Sequence, residues 1–408
     1  MKFKDFCTFK EGYVNPSQKI ASYFDGPIKW LRATDLNNSY VYNTSRTLTE
    51  EGFKSAGKSS ILFKPDTIAI SKSGTIGRIG ILKDYMCGNR AIINIEVNQE
   101  KMNLRYVFYW LLNEQNYIQN LAVGSVQKNL YISVLEQLEI ADRPLREQKA
   151  IADILSALDD KIELNNQINK NLEEMAQAIF KSWFIDFEPF QDGEFVESEL
   201  GLIPKGWEVS SLDSVANYLN GLAMQKYRPT GDEFLPVIKI KELRQGFATS
   251  ESDKATPDLD PRYIVENGDI LFSWSGTLEV KIWSGGKGAL NQHLFKVTSE
   301  KYDKWFYYYW TKHYLNKFRK IAEDKATTMG HIKRKDLNEA KVLIPDKATY
   351  KQINCLMEPI FNKLTLLDIQ NKTLQNLRDT LLPKLMSGEI RVPLENEGRH
   401  QDEQLQRV

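Results

Sequence analysis

Two stretches of this sequence spell motifs that carry chemistry, and neither sits in the context its chemistry needs. Gly52-Phe53-Lys54-Ser55-Ala56-Gly57-Lys58-Ser59 matches GxxxxGK[ST], the loop whose backbone N–H groups cradle nucleotide phosphates. Such a loop comes after a buried strand and opens a helix. Here the preceding Thr47-Leu48-Thr49-Glu50-Glu51 is polar, and the apolar Ile61-Leu62-Phe63 on the other side soon breaks at Lys64-Pro65-Asp66. Pro257-Asp258 with Glu279 and Lys281 downstream has the order of a PD-ExK nuclease site, where carboxylates hold Mg2+, but the pattern is short and common. The Asn/Asp-Pro-Pro-aromatic motif of adenine methylation is absent. Four histidines and three cysteines are scattered without a CxxC, which argues against a zinc site and fits a reduced, cytoplasmic setting.

Other residues have the chemistry of nucleic-acid contact. Lys72, Ser73 and Thr75, with Arg78 nearby, and their counterparts Trp274, Ser275 and Thr277 read as loops after strands, where hydroxyls and N–H groups bind phosphate. Asn89-Arg90 and Asn291-Gln292-His293 carry the amide and guanidinium forks that read adenine and guanine edges. Gln127, Lys128 and Asn129 occupy one loop, and His331, Lys333 and Arg334 its equivalent. The competing reading for each is a turn or capping residue. Segment 301–335 adds ten Lys/Arg against three acids, interleaved with Trp305, Tyr307, Tyr308, Tyr309 and Trp310. That pattern suits either phosphate contact or an amphipathic helix with core aromatics. The whole chain, with 54 basic and 54 acidic residues, lacks the basic excess of a free-standing nucleic-acid binder.

These pairs of loops exist because the chain is a repeat. Ile68-Ala-Ile-Ser71-Lys-Ser73-Gly74-Thr75 matches Ile270-Leu-Phe-Ser273-Trp-Ser275-Gly276-Thr277 at an offset of 202 residues. Asn89 and Asn291, Leu135 and Leu337, Ile151 and Ile353, and Asn169-Lys170 and Asn371-Lys372 keep the same offset; Tyr109-Trp110 and Tyr309-Trp310 slip to 200. A period this long gives each copy enough chain for its own core.

Each copy divides in two. Short β-rich runs give way near 104–121 to a helical pattern, predicting an α+β domain over 1–145 and again over 191–345. Long helices come next over 146–190, with Pro144 near the start, and over 346–391; a polar tail covers 392–408. The first helix carries an apolar stripe at Ile151, Leu155, Leu158, Ile162 and Leu172, and the second at Ile353, Ile360, Leu364, Leu367 and Leu374. Each would run ~50–60 Å and needs a partner to bury the stripe; the simplest partner is the other helix. Asn165, Asn169 and Asn371 fall on the seams, where a buried Asn costs stability but can fix register; the competing reading is that these positions face solvent where the pair splays. No apolar run approaches the ~20 residues a membrane helix needs.

Three motif groups resemble the specificity subunits of type I restriction–modification enzymes. They are Arg146-Glu-Gln-Lys-Ala-Ile-Ala-Asp-Ile-Leu155 with Leu158-Asp-Asp-Lys-Ile162, Ile179-Phe-Lys-Ser-Trp-Phe-Ile-Asp-Phe-Glu-Pro189, and Leu381-Leu-Pro-Lys-Leu-Met-Ser-Gly-Glu-Ile390. Pro204-Lys-Gly-Trp-Glu-Val209 and Ala289-Leu-Asn-Gln-His-Leu-Phe295 resemble the same family, so the likeness covers nearly the whole chain. It implies an α+β fold with two target-recognition domains separated by an antiparallel coiled-coil pair of long helices. Each domain would read one half of a split, asymmetric site in double-stranded DNA. The chain would dock adenine methyltransferase subunits and motor–nuclease subunits and have no active site or cofactor of its own. S-adenosylmethionine, ATP and Mg2+ would belong to the partners. An orphan DNA-binding specificity module, or less favourably a PD-ExK nuclease, is the alternative.

If the glycine-rich match at 52–59 is a coincidence of letters, the purified chain hydrolyses no ATP. Lys58→Ala then leaves a phosphate-release assay at background, as does the unaltered chain.

Overall fold

A computed structural model of the chain describes residues 1–124, 128–324 and 330–393. Gln127, assigned above to a DNA-contacting loop, lies outside the described residues, as does the chain after 393. The chain divides into two compact units. One comprises Met1–Asp160 and the chain from Leu374 onward; the other is Lys161–Thr373. The long helices therefore belong half to each unit.

In the first unit five strands form a sheet in the order Cys7–Glu11, Ile92–Val97, Ile68–Ser71, Ile79–Leu82, Ser39–Val41, antiparallel except for the last pair. Ile68–Ser71 is buried at all four positions: β-branched Ile68 and Ile70 pack on one face of the sheet, and the small Ala69 and Ser71 lie on the other. A smaller sheet joins Phe24–Leu31 to Thr47–Leu48 and, in parallel, to Met86–Gly88. The helix Leu104–Asn113 is capped by Asn103, whose side-chain oxygen accepts from Tyr106 N at 3.0 Å. It packs Tyr106, Val107 and Phe108 into the core with Ile68, Ile70, Ile93 and Ile95.

The second unit repeats this plan with four strands in the order Asn217–Asn220, Leu294–Thr298, Ile270–Ser273, Val280–Ile282. Its equivalent helix, Lys304–Asp324, is twice as long. The aromatic residues of the 301–335 stretch resolve the choice left open by sequence: Trp305, Tyr307, Tyr308, Tyr309 and Trp310 are buried core residues. Several cations of this helix are held by the protein itself. Lys304 Nζ donates to Gly268 O at 2.6 Å, Lys312 Nζ to Glu173 at 2.5 Å, and Arg319 Nε to Leu278 O at 3.2 Å.

The long helices span Leu145–Phe184 and Lys347–Ser387, shorter than the 146–190 and 346–391 expected at their C-terminal ends. Phe187 is left-handed at φ 53° and Glu188 precedes Pro189, a position that disfavours the helical conformation. The second helix stops at Gly388, φ 83°, where glycine takes the left-handed cap without strain. Pro144 contributes the carbonyl that accepts from Gln148 N at 3.0 Å, and Asp346 Oδ1 caps the second helix by accepting from Ala348 N and Thr349 N at 2.9 and 3.1 Å.

The helices run antiparallel within each unit: Asp159 faces Arg378 in the first, and Asn165 and Asn169 face Asn371 and Asp368 in the second. The apolar stripe is not buried by the partner helix alone. Ile151 and Leu155 enter the first α+β core together with Leu382, Leu385 and Met386. Ile353 enters the second α+β core, with Ile360 packed against it, beside Phe180 and Phe184 of the other helix. Ile162, Leu364 and Leu367 are buried, whereas Leu158, Leu172 and Leu374 are half-buried.

Between these apolar ends lies a polar layer. Asn165 Nδ2 donates to Asn371 Oδ1 and Gln370 Oε1, both at 2.8 Å, Asn371 Nδ2 donates to Asn166 Oδ1 at 2.8 Å, and Asn169 Nδ2 donates to Asp368 Oδ1 at 2.7 Å. Burial pushes the Asp368 carboxyl up to about 6, against the opposing pull of the Asn169 bond. In the first unit the half-buried Arg378 pairs with buried Asp159 at 2.6 Å, and Asp159 also accepts from the Tyr109 hydroxyl at 2.6 Å.

Asn165→Leu strands the Asn371 acceptor in the seam and lowers stability by about 1–3 kcal/mol. Asn165→Leu/Asn371→Leu removes both members and is expected to unfold no earlier than the single variant. Urea unfolding of both variants reads this out, and additive losses would show that the two amides are not coupled.

Candidate nucleic-acid interface

The candidate DNA-contacting residues gather on three loops at one end of the main sheet, and the same hydrogen bonds build this arrangement twice. The first loop leaves the central strand. Ser71, fully buried, donates its hydroxyl to Thr75 O and accepts from Arg78 N at 3.0 Å. Ser273, equally buried, donates to Thr277 O at 2.7 Å and accepts from Glu279 N at 2.8 Å. One hydroxyl thus closes the loop in each copy. The closed segment is one residue shorter in the second copy, so Glu279 stands where the first copy has Arg78.

The second loop is a turn held by an asparagine. Asn89 Oδ1 accepts from Ala91 N at 3.0 Å and Asn291 Oδ1 from His293 N at 3.3 Å, the local bond that makes Asn a turn former. Their own N–H groups donate to Leu31 O at 3.0 Å and Ile238 O at 3.2 Å. Gly12 and Gly221 lie against these turns so closely that an added Cβ would collide with the carbonyl oxygens of Asn89 and Asn291. Neither position therefore tolerates a side chain.

The third loop is tied to the first. Lys72 N donates to Ala91 O at 2.7 Å and Leu130 N to Lys72 O at 2.9 Å. In the second copy Trp274 N donates to His293 O at 3.4 Å, Ile332 N to Trp274 O at 3.0 Å, and Gly276 N to Gly330 O at 2.9 Å. Backbone bonds therefore make one continuous surface of three loops, with positions left for side chains to vary.

Those side chains do vary. In the first copy Thr75, Arg78, Arg90 and Lys128 are exposed, while Ser73 and Asn129 are half-buried. In the second, Thr277, Lys333 and Arg334 are exposed, and Arg334 Nη2 donates to Tyr218 O at 3.3 Å. Trp274 lies between the His293 and His331 rings, with centroids 6.0 and 6.2 Å away. Ser275 Oγ is 3.0 Å from His293 Nδ1. Gln292 and His293 border a cleft of about 360 Å³ that Lys239 and Lys241 also line.

Comparison with known proteins bears on these surfaces directly. The family model for the type I restriction modification DNA specificity domain matches the chain twice, over residues 1–174 and 204–376. The chain belongs to the type I restriction–modification DNA specificity family. The MjaIX specificity subunit of Methanocaldococcus jannaschii is 32% identical over 96% of this chain and 93% of its own length, and the HindI specificity subunit of Haemophilus influenzae is 24% identical over 76% and 82%. A crystal structure of a type I S subunit from M. genitalium shares the fold, with a TM-score of 0.57, 16% identity and coverage of 94% and 95%. The role of a specificity subunit is DNA recognition rather than catalysis, and the twofold match establishes the internal repeat.

Within this specificity subunit several candidate residues have structural work that sequence did not disclose. Lys72 Nζ is paired with Glu11 at 2.8 Å, so part of its charge is balanced within the protein and the side chain is held in place rather than left free. Burial raises the Glu11 carboxyl, but hydrogen bonds from Lys72 and Tyr13 bring it below the ordinary carboxylate range. Asn291 is 6% exposed and its side chain closes its own turn, and Ser275 is 3% exposed with its hydroxyl against His293. Glu11 and its counterpart Asn220 were missed because the first strand repeats at 209 residues rather than 202.

The motif look-alikes find ordinary explanations. Gly52 lies inside the short helix Glu50–Lys54, pressed against Tyr23 O, and Lys58 is exposed in a single turn at Gly57–Ser59. Glu279 closes the loop through its backbone and pairs with Lys281 at 3.2 Å. Among the described residues no cluster of His, Cys, Asp or Glu could hold a metal ion, and no helix is long and apolar enough to cross a membrane.

Ser273→Ala removes a donor and an acceptor from a buried site and is expected to cost about 1–3 kcal/mol. The loss should concentrate in the loop, so hydrogen exchange of Gly276–Glu279 accelerates while that of the strand Leu294–Thr298 does not.

Proposed function

We propose that each three-loop surface reads one half of a split, asymmetric site in double-stranded DNA. The observation that carries this reading is the pairing of constant backbone with variable side chains. Ser71 and Ser273, Asn89 and Asn291, and Gly12 and Gly221 make the same bonds and contacts in both copies, whereas Lys72, Arg78 and Arg90 are replaced by Trp274, Glu279 and Gln292. A scaffold held this way lets the two surfaces select different bases without refolding. Exposed Arg78, Arg90, Lys128, Lys333 and Arg334, together with Thr75 and Thr277, supply phosphate and base-edge donors. The neutral net charge fits a chain that shares the DNA with basic partners.

The partners in this reading are adenine methyltransferase subunits and motor–nuclease subunits, which the resemblance to type I specificity subunits implies. Methyl transfer from S-adenosylmethionine and ATP-driven cleavage with Mg2+ take place on those subunits, and the chain itself holds no cofactor. The long helices, half-exposed at Leu158, Leu172 and Leu374, offer surface for docking.

Exchanging residues 1–145 for those of another specificity subunit, in complex with the methylation subunits, should change one half-site and keep the other. Methylation-site mapping across a genome measures it. A change in both half-sites together would overturn the two-reader model.

A further inference from the structure

The two copies share the side-chain bonds that close their loops, and they differ in the contact at the end of the first sheet strand. Glu11 ends the first sheet strand opposite Ile93, and Asn220 ends its counterpart opposite Phe295. Ile93 and Phe295 are 202 residues apart, which makes Glu11 and Asn220 equivalent. Each touches the first residue beyond the buried serine. Glu11 Oε2 is 2.8 Å from Lys72 Nζ, and Asn220 Oδ1 accepts from Trp274 Nε1 at 2.9 Å. The contact is the same in place and nearly so in length, but one is an ion pair and the other a neutral hydrogen bond to an indole.

We infer that this strand-end pair, Glu11 with Lys72 in the first copy and Asn220 with Trp274 in the second, is a specificity determinant that selects a G·C base pair in one half-site and an A·T base pair in the other. The inference rests on the three-loop surfaces being the DNA-reading surfaces. The pair occupies the junction of the loops: Lys72 and Trp274 bond through their backbones to both the second loop and the third. Lys72 and Glu11 are 18% and 17% exposed, so both reach solvent at the mouth of the surface.

The base assignment comes from donor and acceptor order. A carboxylate beside an ammonium presents an acceptor and a donor together. Cytosine N4 offers the matching donor and guanine O6 and N7 the matching acceptors on one base pair. The ammonium has three N–H groups, so it bonds Glu11 and still has donors for guanine. In the second copy the indole N–H is consumed by Asn220 Oδ1, which leaves the Asn220 amide donors and an apolar ring face flanked by His293 and His331. Amide with adenine and apolar surface with the thymine methyl is the complementary set for an A·T pair. Neighbouring charges agree with this division. Arg78, exposed at the end of the first copy's loop, is replaced by Glu279 in the second.

The test uses the full chain assembled with its methylation subunits, with base preference read at every position of the methylated site. Glu11→Asn/Lys72→Trp should move one position of the first half-site from G·C to A·T and leave the second half-site intact. Asn220→Glu/Trp274→Lys should do the reverse in the other half-site. If the double variants do not assemble, the nearly isosteric Glu11→Gln serves instead. It should cut the G·C preference at that one position roughly five- to hundredfold, the range one bidentate base contact is worth. Unchanged base preference with uniformly weaker methylation would overturn the inference and leave the pair a structural brace. A wild-type complex that methylates no defined site would instead overturn the DNA-reading assignment on which it rests.

Discussion

A helix of forty residues with one apolar stripe is unstable alone in water, and this chain contains two of about that length. Burying those stripes is the constraint around which each unit is built. The ends of the stripes enter the α+β cores, where Ile151 and Leu155 meet Leu385, and Phe180 and Phe184 meet Ile353. A domain and two helix segments thus share one core, so none of the three can be removed without exposing the others. Between the apolar ends the seam turns polar, with Asn165, Asn169, Asn371 and Asp368 joined by hydrogen bonds. Aliphatic residues would pack there in several registers. Amides that must find partners accept few, and the stability they forgo is the cost of a defined alignment.

With the core anchored in this way, the exposed side chains of the three-loop surface have little part in holding the fold. Its backbone is determined by groups pointing inward: two buried serine hydroxyls, two turn-forming asparagines and two glycines pressed against carbonyl oxygens. Its outward side chains contribute little to stability, because exposed charges gain little from any neighbour. That separation suits a specificity subunit, which has to accept new bases without a new fold. It also explains why residues with the right chemistry for base reading divide in two. Asn291 and Ser275 belong to the inward set, and Arg90 and Gln292 to the outward one.

Much of this was legible in the linear sequence. The 202-residue period exposed the duplication, the 3.5-residue stripe exposed the long helices, and the Ser-x-Ser-Gly-Thr run after a β-rich stretch located the loops. These are local or periodic signals, and local backbone preference and burial by period produce them without any knowledge of distant contacts. Seam asparagines were visible for the same reason, since a polar residue in an apolar period marks either a buried bond or a splayed, solvent-facing seam, and the structure shows the bonds.

What the sequence could not supply is who meets whom. Glu11 and Lys72 lie sixty-one residues apart and come together because two strands flank a third in one sheet. Tyr307 and its aromatic neighbours look alike as a basic nucleic-acid stretch or a core helix until a sheet covers them, since burial is decided by the partner surface. The first long helix ends before position 190 because a left-handed Phe187 and Pro189 shortly after it do not continue the helical backbone. Sequence by itself determined the repeat, the element types and the family, because these arise from local preference and period. Tertiary structure alone decided which charged groups are spent within the protein and which remain exposed, because a charge at a fixed sequence position changes its role with the neighbour that folding places beside it.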